Sequence, residues 1–346
     1  MNQLLVLDGD FEAQLLRRSK HANEVGKSFM LQVITSEPYS VLQTHMDFLR
    51  AGAQLIRTNT HRISTGSIGT HMNLDSTEVK PMVDMAVNLA KKAIMKYLHE
   101  VHDQKTSVEQ YNFSSRPILA GCCGSYNATL FDNVFDTWKL TESLSLNYLS
   151  WFHQQRMQVL LNANVDLLTF ESIPTLREVD AIITVLKLHP TARALITFLC
   201  TENGKLLDGS NFADVAVHCY NSLTNQIFAI GTEANNAIAD WTLQVMKNIN
   251  YNREDKIPFV LYVSQSQLHT MWGEDKFSLS QQHNYVQDWL DAGICCIGGG
   301  SNTVAQDIRM ICKEVNNYCI YTNRAFASDK GSCPVYTRIQ KNLSRL

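Results

Sequence analysis

Eight short apolar segments recur along the chain and constrain the fold more than any other feature of the sequence. They are rich in branched side chains and show almost no polar alternation, which is typical of strands covered on both faces of a parallel sheet. The stretches between them carry the apolar spacing of helices. Eight strand–helix repeats in one chain favour a single (β/α)8 barrel, or TIM barrel, over a doubly wound sheet. The predicted strands are residues 3–8, 53–58, 117–122, 165–170, 194–200, 226–231, 257–263 and 294–299.

Three joints between a predicted helix and the next strand repeat one pattern. They read LRAGAQLI at 49–56, LNANVDLL at 161–168 and LDAGICCI at 290–297. Each predicts a helix that ends in a left-handed residue, at Gly52, Asn164 or Gly293, because glycine and then asparagine adopt that conformation most readily.

The length and composition fit one large domain. The chain has 346 residues, of which 45% are hydrophobic, and this is enough for a large buried core. We expect a single barrel domain over residues 1–316. A C-terminal tail, residues 317–346, follows it and shows no clear apolar period.

Charge and cysteine content narrow the class of protein. A net charge of −3, without a block of either sign, gives no electrostatic footprint for nucleic acid. No segment reaches the roughly 18 apolar residues of a membrane span, and the N-terminus lacks a signal-peptide core, so we expect a cytoplasmic protein without membrane contact. Nine scattered cysteines do not form a disulfide scaffold. Neither a protein partner nor an oligomeric state can be identified from the sequence.

Polar residues follow several predicted strands. Asp8 ends the first, residues 58–60 (Thr-Asn-Thr) follow the second, 121–126 the third and 171–174 (Glu-Ser-Ile-Pro) the fourth. In a (β/α)8 barrel the carboxyl ends of all strands meet at one face, where the chemistry takes place. These residues are therefore expected to lie around one site.

Three of these stretches together resemble the homocysteine S-methyltransferase family. They are HMDFLRAGAQLIRTNTH at 45–61, ILAGCCGSYNA at 118–128 and VDLLTFESIPTLREVDAI at 165–182, and the similarity extends over about residues 4–316. The resemblance implies transfer of a methyl group from a sulfonium donor, such as S-methylmethionine or S-adenosylmethionine, to homocysteine. It also implies a zinc ion, bound by three cysteine thiolates, that holds the homocysteine sulfur as the nucleophilic thiolate.

The family's three zinc-binding cysteines are replaced in this chain. The family carries one cysteine in a G-x-N-C motif at the sixth strand end and two in G-G-C-C at the eighth. Here those positions hold Ala234, Gly300 and Ser301. An alanine, a glycine and a neutral hydroxyl do not supply the three protein ligands of a catalytic zinc site, so no metal or other cofactor is predicted.

Other cysteines offer a weaker route to a metal site. Cys295 and Cys296 precede the glycine pair on a strand, where neighbours point to opposite faces, and are expected to be buried core thiols. A rebuilt site would need Cys122 or Cys123 with further donors from His61 and Glu233.

Four residues are candidates for binding a small amino-acid ligand: Asp8, Thr58, Asn59 and Glu171. The resemblance implies that the carboxylates of Asp8 and Glu171 help to hold the amino group of homocysteine, by charge-assisted hydrogen bonds. The alternative is that they satisfy loop backbone groups or pair with Arg57 or Arg62.

Three hypotheses follow. The first is a catalytically inactive homologue, a pseudoenzyme with no catalytic residues, that keeps an amino-acid pocket for a binding, sensing or interaction role. The second is an active homocysteine S-methyltransferase with a rebuilt site. The third is an enzyme that uses Asp8, Glu171 and Glu233 for acid–base chemistry at the same barrel mouth.

Overall fold

Eight parallel strands form a nearly closed barrel with helices between them. The computed structural model describes residues 4–20, 29–63, 76–103, 116–130, 134–234, 239–272 and 285–321. The strands neighbour one another in the order β1-β8-β7-β6-β5-β4-β3-β2, and a parallel bridge from Leu7 to Leu55 joins β1 to β2. The predicted (β/α)8 barrel is confirmed. The strands are β1 Leu5–Val6, β2 Leu55–Arg57, β3 Ile118–Gly124, β4 Leu167–Ile173, β5 Ala194–Phe198, β6 Ile227–Ala234, β7 Phe259–Val263 and β8 Ile294–Gly299.

The helices surround the strands and bury their apolar faces against them. The α-helices of the described residues are α1 Phe11–Leu16, α2 Phe29–Ser36, α3 Pro38–Ala51, α4 Ser76–Asp103, α5 Val134–Ser143, α6 Leu146–Asn162, α7 Leu176–Lys187, α8 Phe212–Leu223, α9 Ala239–Tyr251, α10 Gln265–Trp272, α11 Tyr285–Asp291 and α12 Ala305–Tyr321. Within the described ranges, no helix has the length and hydropathy needed to cross a membrane. Residues 317–321 belong to α12 and 322–346 lie outside the described residues, so the division into barrel and tail stays a prediction.

Two apolar layers hold the barrel. One, which includes Leu7, Leu55 and Leu195, fills the barrel interior, and a larger one lies between strands and helices. The predicted left-handed joints are confirmed, with φ of 107° at Gly52, 56° at Asn164 and 84° at Gly293. These residues turn the chain from a helix into the next strand.

Cys295 and Cys296 differ from the prediction. Their Sγ atoms lie 3.7 Å apart, so the expectation that they point to opposite faces is wrong. Phe259 pairs with Ile294 and Val260 with Cys296, which makes Cys295 the extra residue of a β-bulge and breaks the alternation. Cys296 is buried as predicted and Cys295 is half-buried.

Candidate functional site

A cavity of about 340 Å³ lies at the carboxyl ends of the strands. Seven of the eight strands line it with a residue of their own, and β1 contributes Asp8, two residues past its end. Such a cavity is large enough for a small-molecule ligand and lies on the face where (β/α)8 barrels carry their chemistry. The residues contributed by β1 to β8 include, in order, Asp8, Arg57, Cys122, Glu171, Thr197, Glu233, Tyr262 and Gly299.

Arg57 pairs with both predicted carboxylates. Its Nε donates to Asp8 Oδ1 at 2.6 Å, its backbone N–H donates to Asp8 Oδ2 at 2.7 Å, and its Nη1 donates to Glu171 Oε1 at 3.0 Å. The guanidinium lies 4.7 Å from the centre of the Tyr262 ring. Of the two arginines named as possible partners of these carboxylates, Arg57 pairs with both of them. Arg62 instead lies 3.9 Å from Glu12. Binding of an ammonium group by Asp8 and Glu171 stays a prediction.

The net pKa shifts of the two carboxylates have opposite signs, because burial outweighs Arg57 at Asp8 but not at Glu171. Burial raises the pKa of Asp8 to about 6, against the opposing charge and hydrogen bonds of Arg57. Burial would also raise the pKa of Glu171, but Arg57 and then His61 outweigh it and hold this pKa below its ordinary value. Carboxylates with separated pKa values are a condition for acid–base chemistry, so that hypothesis stays open.

His61, Cys122 and Glu171 bring three potential metal ligands together. Cys122 Sγ lies 3.3 Å from Glu171 Oε2 and 3.7 Å from His61 Nδ1. His61 Nδ1 lies 3.7 Å from the same carboxylate oxygen. Burial, then Glu171, raises the pKa of the Cys122 thiol well above its ordinary value, and burial lowers the pKa of His61 to about 4. The thiol therefore keeps its proton and donates a hydrogen bond to the Glu171 carboxylate.

The hydroxyls of Thr58 and Thr60 form hydrogen bonds with the backbone of Cys122. Thr58 Oγ1 accepts the backbone N–H of Cys122 at 2.9 Å, while Thr60 Oγ1 donates to the carbonyl of Cys122 at 2.7 Å. The two hydroxyls are themselves 2.7 Å apart. Thr58 thus lies at the cavity as predicted, but its hydroxyl positions protein groups.

Asn59 is one of the residues that line the cavity, and its side-chain amide makes no hydrogen bond within the described structure. The side chain is buried, and neither its nitrogen nor its oxygen has a hydrogen-bond partner among the described residues. Both amide atoms are covered by protein, so a ligand in the cavity would reach them only after the side chain turns. A buried amide without partners is costly, and a ligand that supplied hydrogen bonds would offset that cost.

The three positions at which the resemblance places the family's zinc-binding cysteines carry no thiol in this chain. Ala234 ends β6, and Gly300 and Ser301 follow β8. Glu233 Oε1 accepts the backbone N–H of Ser301 at 2.8 Å, and a Cβ at Gly300 would lie 2.7 Å from the same oxygen. The carboxylate of Glu233 therefore fills the space that a cysteine at position 300 would need. The broader prediction that the mouth has no metal ligands is not supported, since His61, Cys122 and Glu171 form a candidate site elsewhere in it.

Two residues that complete the site were not predicted from the sequence. The hydroxyl of Tyr262, at the end of β7, donates to Glu171 Oε1 at 3.2 Å. Buried Arg156 of α6 donates to the carbonyls of His61 at 2.6 Å, Gly124 at 2.6 Å and Ile63 at 2.9 Å, and so fixes the loop after β2. Tyr262 at a predicted strand end was a usable signal, whereas nothing in the sequence distinguishes Arg156 from a surface arginine.

The cavity has an excess of negative charge. Two guanidinium groups, Arg57 and Arg62, line it together with five carboxylates. An acidic mouth favours a cationic ligand. The carboxylates are Asp8, Asp10, Glu12, Glu171 and Glu233.

A family model, two curated relatives and a solved structure that are similar to this chain all point to one family. A model described as homocysteine S-methyltransferase matches residues 5–315. The chain is 26% identical over 321 residues to betaine-homocysteine S-methyltransferase of Drosophila melanogaster, covering 90% of this chain and 94% of the relative. It is 27% identical over 310 residues to homocysteine S-methyltransferase of Escherichia coli, covering 88% and 93%. The metallated crystal structure of the homocysteine methyltransferase MmuM from E. coli superposes with a TM-score of 0.71 at 26% identity, over 89% of this chain and 94% of that one.

Proposed function

Because the chain belongs to the homocysteine S-methyltransferase family, we propose that it transfers a methyl group from a cationic donor to the thiol of an amino acid such as homocysteine. The observation that carries the proposal is the cavity at the strand ends, in which five carboxylates face two guanidinium groups. A sulfonium or quaternary ammonium donor is a cation that such a mouth attracts. The named relatives are homocysteine methyltransferases.

Asn59 is suited to orient the amino-acid substrate. Once turned toward the cavity, its amide can donate to a carboxylate and accept from an ammonium group, and neither amide atom has a hydrogen-bond partner within the described structure. Asp8 and Glu171 add negative charge beside it, although Arg57 already pairs with both. Holding the thiol and the donor methyl in line within one cavity supplies the main rate advantage of such a site.

The transfer itself exchanges one bond to carbon for another. The thiolate sulfur attacks the methyl carbon, a sulfur–carbon bond forms, and the donor leaves as a neutral sulfide or amine with the electron pair of the broken bond. The thiol must first lose its proton, which goes to solvent, because the thiolate is the nucleophile. Arg57 is neutralised by Asp8 and Glu171, so it contributes little positive charge to the sulfur.

Label transfer tests the proposal directly. The purified full chain is incubated with zinc, homocysteine and one of three donors carrying a deuterated methyl group: S-methylmethionine, S-adenosylmethionine or betaine. Deuterated methionine above the protein-free control is expected with at least one donor, and Asn59→Ala should reduce it. A folded protein that gives no labelled methionine with any of the three contradicts the proposal.

A second candidate is the inactive homologue that binds an amino acid without turnover. The observation that favours it is Glu233 filling the space beside Gly300 at the family's zinc position. Calorimetry separates the two candidates, because this one requires heat of binding for homocysteine or methionine together with no label transfer.

A further inference from the structure

We propose that His61, Cys122 and Glu171 form a zinc centre, on the side of the barrel mouth opposite to the family's cysteine positions. The ligands come from the loop after β2 and from strands β3 and β4, whereas Ala234, Gly300 and Ser301 belong to the ends of β6 and β8. The role of this centre in methyl transfer rests on the function proposed above, whereas its geometry does not.

The three ligand atoms have the spacing of a zinc site. Tetrahedral zinc with bonds of about 2.0–2.3 Å separates its ligand atoms by roughly 3.3–3.6 Å. The distances here are 3.3 Å from Cys122 Sγ to Glu171 Oε2, 3.7 Å from Cys122 Sγ to His61 Nδ1, and 3.7 Å from His61 Nδ1 to Glu171 Oε2. One cation can therefore contact all three with shifts of a few tenths of an ångström.

The ligand chemistry favours zinc and leaves a position for substrate. A thiolate, an imidazole and a carboxylate are all zinc ligands, and the sulfur and nitrogen disfavour magnesium and calcium. Catalytic zinc sites use three protein ligands and keep a fourth position open. All three side chains line the cavity, so the open position would face a bound thiol.

The local charge is also suited to a divalent cation. Asp8 and Glu171 supply two negative charges against the single positive charge of Arg57. Zinc binding releases the Cys122 proton and leaves a thiolate. The divalent cation then balances this thiolate and the carboxylate that Arg57 leaves uncompensated, so the group as a whole becomes neutral.

The surrounding structure positions Glu171 and leaves room for His61. Arg57 and the Tyr262 hydroxyl occupy Oε1 of Glu171, which leaves Oε2 directed at Cys122 and His61. Gly124 provides the room for the imidazole, since a Cβ there would lie 2.7 Å from the His61 ring. Partners of this kind orient metal ligands and raise metal affinity.

Titration of the metal-free full chain with Co²⁺ and Zn²⁺ tests the site without measuring activity. A thiolate ligand gives Co²⁺ a sulfur-to-metal charge-transfer band, and elemental analysis gives the stoichiometry. We expect one metal per chain, loss of the band in Cys122→Ser, and at least about tenfold weaker zinc binding in Cys122→Ser and His61→Ala.

Cys123→Ser is the matched control, because Cys123 is the next residue of β3 and its buried side chain belongs to the layer between strands and helices. It should keep the band and the stoichiometry, and thermal unfolding shows that each variant is folded. An unchanged band in Cys122→Ser, or no binding by the folded wild-type chain, overturns the proposal. Metal binding without label transfer would refute only the proposed function, and label transfer by the metal-free chain would refute only the role of the zinc centre in that transfer.

Discussion

Glu233 and Ser301 are joined by a hydrogen bond of 2.8 Å, from the backbone N–H of Ser301 to the carboxylate Oε1 of Glu233. This contact links the end of β6 to the loop after β8, the two places from which the family's cysteines come. The same oxygen lies where a side chain at Gly300 would begin. The carboxylate of Glu233 therefore occupies the space that a side chain at position 300 would need.

Gly300→Ala should displace Glu233 and break this contact. The new Cβ would lie within 3 Å of three Glu233 atoms, and the flexible carboxylate would turn away and lose its hydrogen bond to Ser301. We expect the free energy of unfolding to fall by about 1.5 kcal/mol, the lower end of the range for hydrogen bonds to a charged group, because this contact is exposed. Urea denaturation measures the change. Ser301→Ala, at an exposed position, keeps the backbone N–H and should leave stability unchanged.

The fold could be predicted from the sequence because strands covered on both faces leave an apolar signature. The ends of β3, β4 and β6 were placed two or three residues too early. Polar residues such as Glu171 and Glu233 interrupt the signature there, yet the backbone continues the ladder with neighbouring strands. Hydrogen bonding between neighbouring strands decides where these strands end, and no local sequence pattern reveals it.

The site could be predicted as a region but not as a set of contacts. Asp8, Thr58, Asn59 and Glu171 do line one cavity, since parallel strands end at the same face. Which of these side chains contact one another depends on the register in which neighbouring strands pair. Glu171 pairs with Gly124, two residues from Cys122 on the same face of β3, so Glu171 and not Glu233 meets the thiol.

Arg57→Met should leave two buried carboxylates without their cation. Asp8 is almost fully buried and Glu171 nearly so, and Arg57 is the guanidinium that pairs with both. Breaking a buried pair by removing one partner is strongly destabilising, so we expect a loss of about 3 kcal/mol in the free energy of unfolding. Urea denaturation in the presence of a chelator measures it without interference from bound metal.

Arg62→Met is the comparison for Arg57, because Arg62 is more exposed and its carboxylate partner Glu12 lies 3.9 Å away. A change of less than about 1 kcal/mol is expected there, as for other exposed pairs. Equal losses in the two variants would show that the charge of Arg57 does not stabilise the mouth.

His45 should make the protein less stable as the pH falls below 6.5. Burial lowers its pKa to about 3, and its ring nitrogens have no hydrogen-bond partner in the described part of the chain. Between pH 3 and 6.5 the unfolded chain binds a proton at this residue that the folded chain does not, so the folded state loses about 1.4 kcal/mol per pH unit. His45→Leu removes this contribution while keeping an apolar contact with Phe11.

Urea denaturation at pH 7.5, 6 and 5 measures the effect of His45. The difference in unfolding free energy between His45→Leu and wild type should move in favour of the variant as the pH falls. His99→Gln, at an exposed position of α4, is the control. Parallel pH curves for His45→Leu and wild type would contradict the prediction.

Asn59→Ala should separate ligand binding from stability. The Asn59 amide is buried without a hydrogen-bond partner, so its removal costs no hydrogen bond within the described structure and should leave the free energy of unfolding unchanged or about 1 kcal/mol higher. Affinity for homocysteine, measured by calorimetry, should fall at least about tenfold if the ligand supplies the missing hydrogen bonds.

Asn127→Ala is the matched variant, because this buried amide already donates to Thr137 at 2.8 Å and accepts from Thr141. It should lose about 2 kcal/mol of stability with little change in ligand affinity for the folded protein. Unchanged homocysteine affinity in Asn59→Ala would remove Asn59 from the binding site.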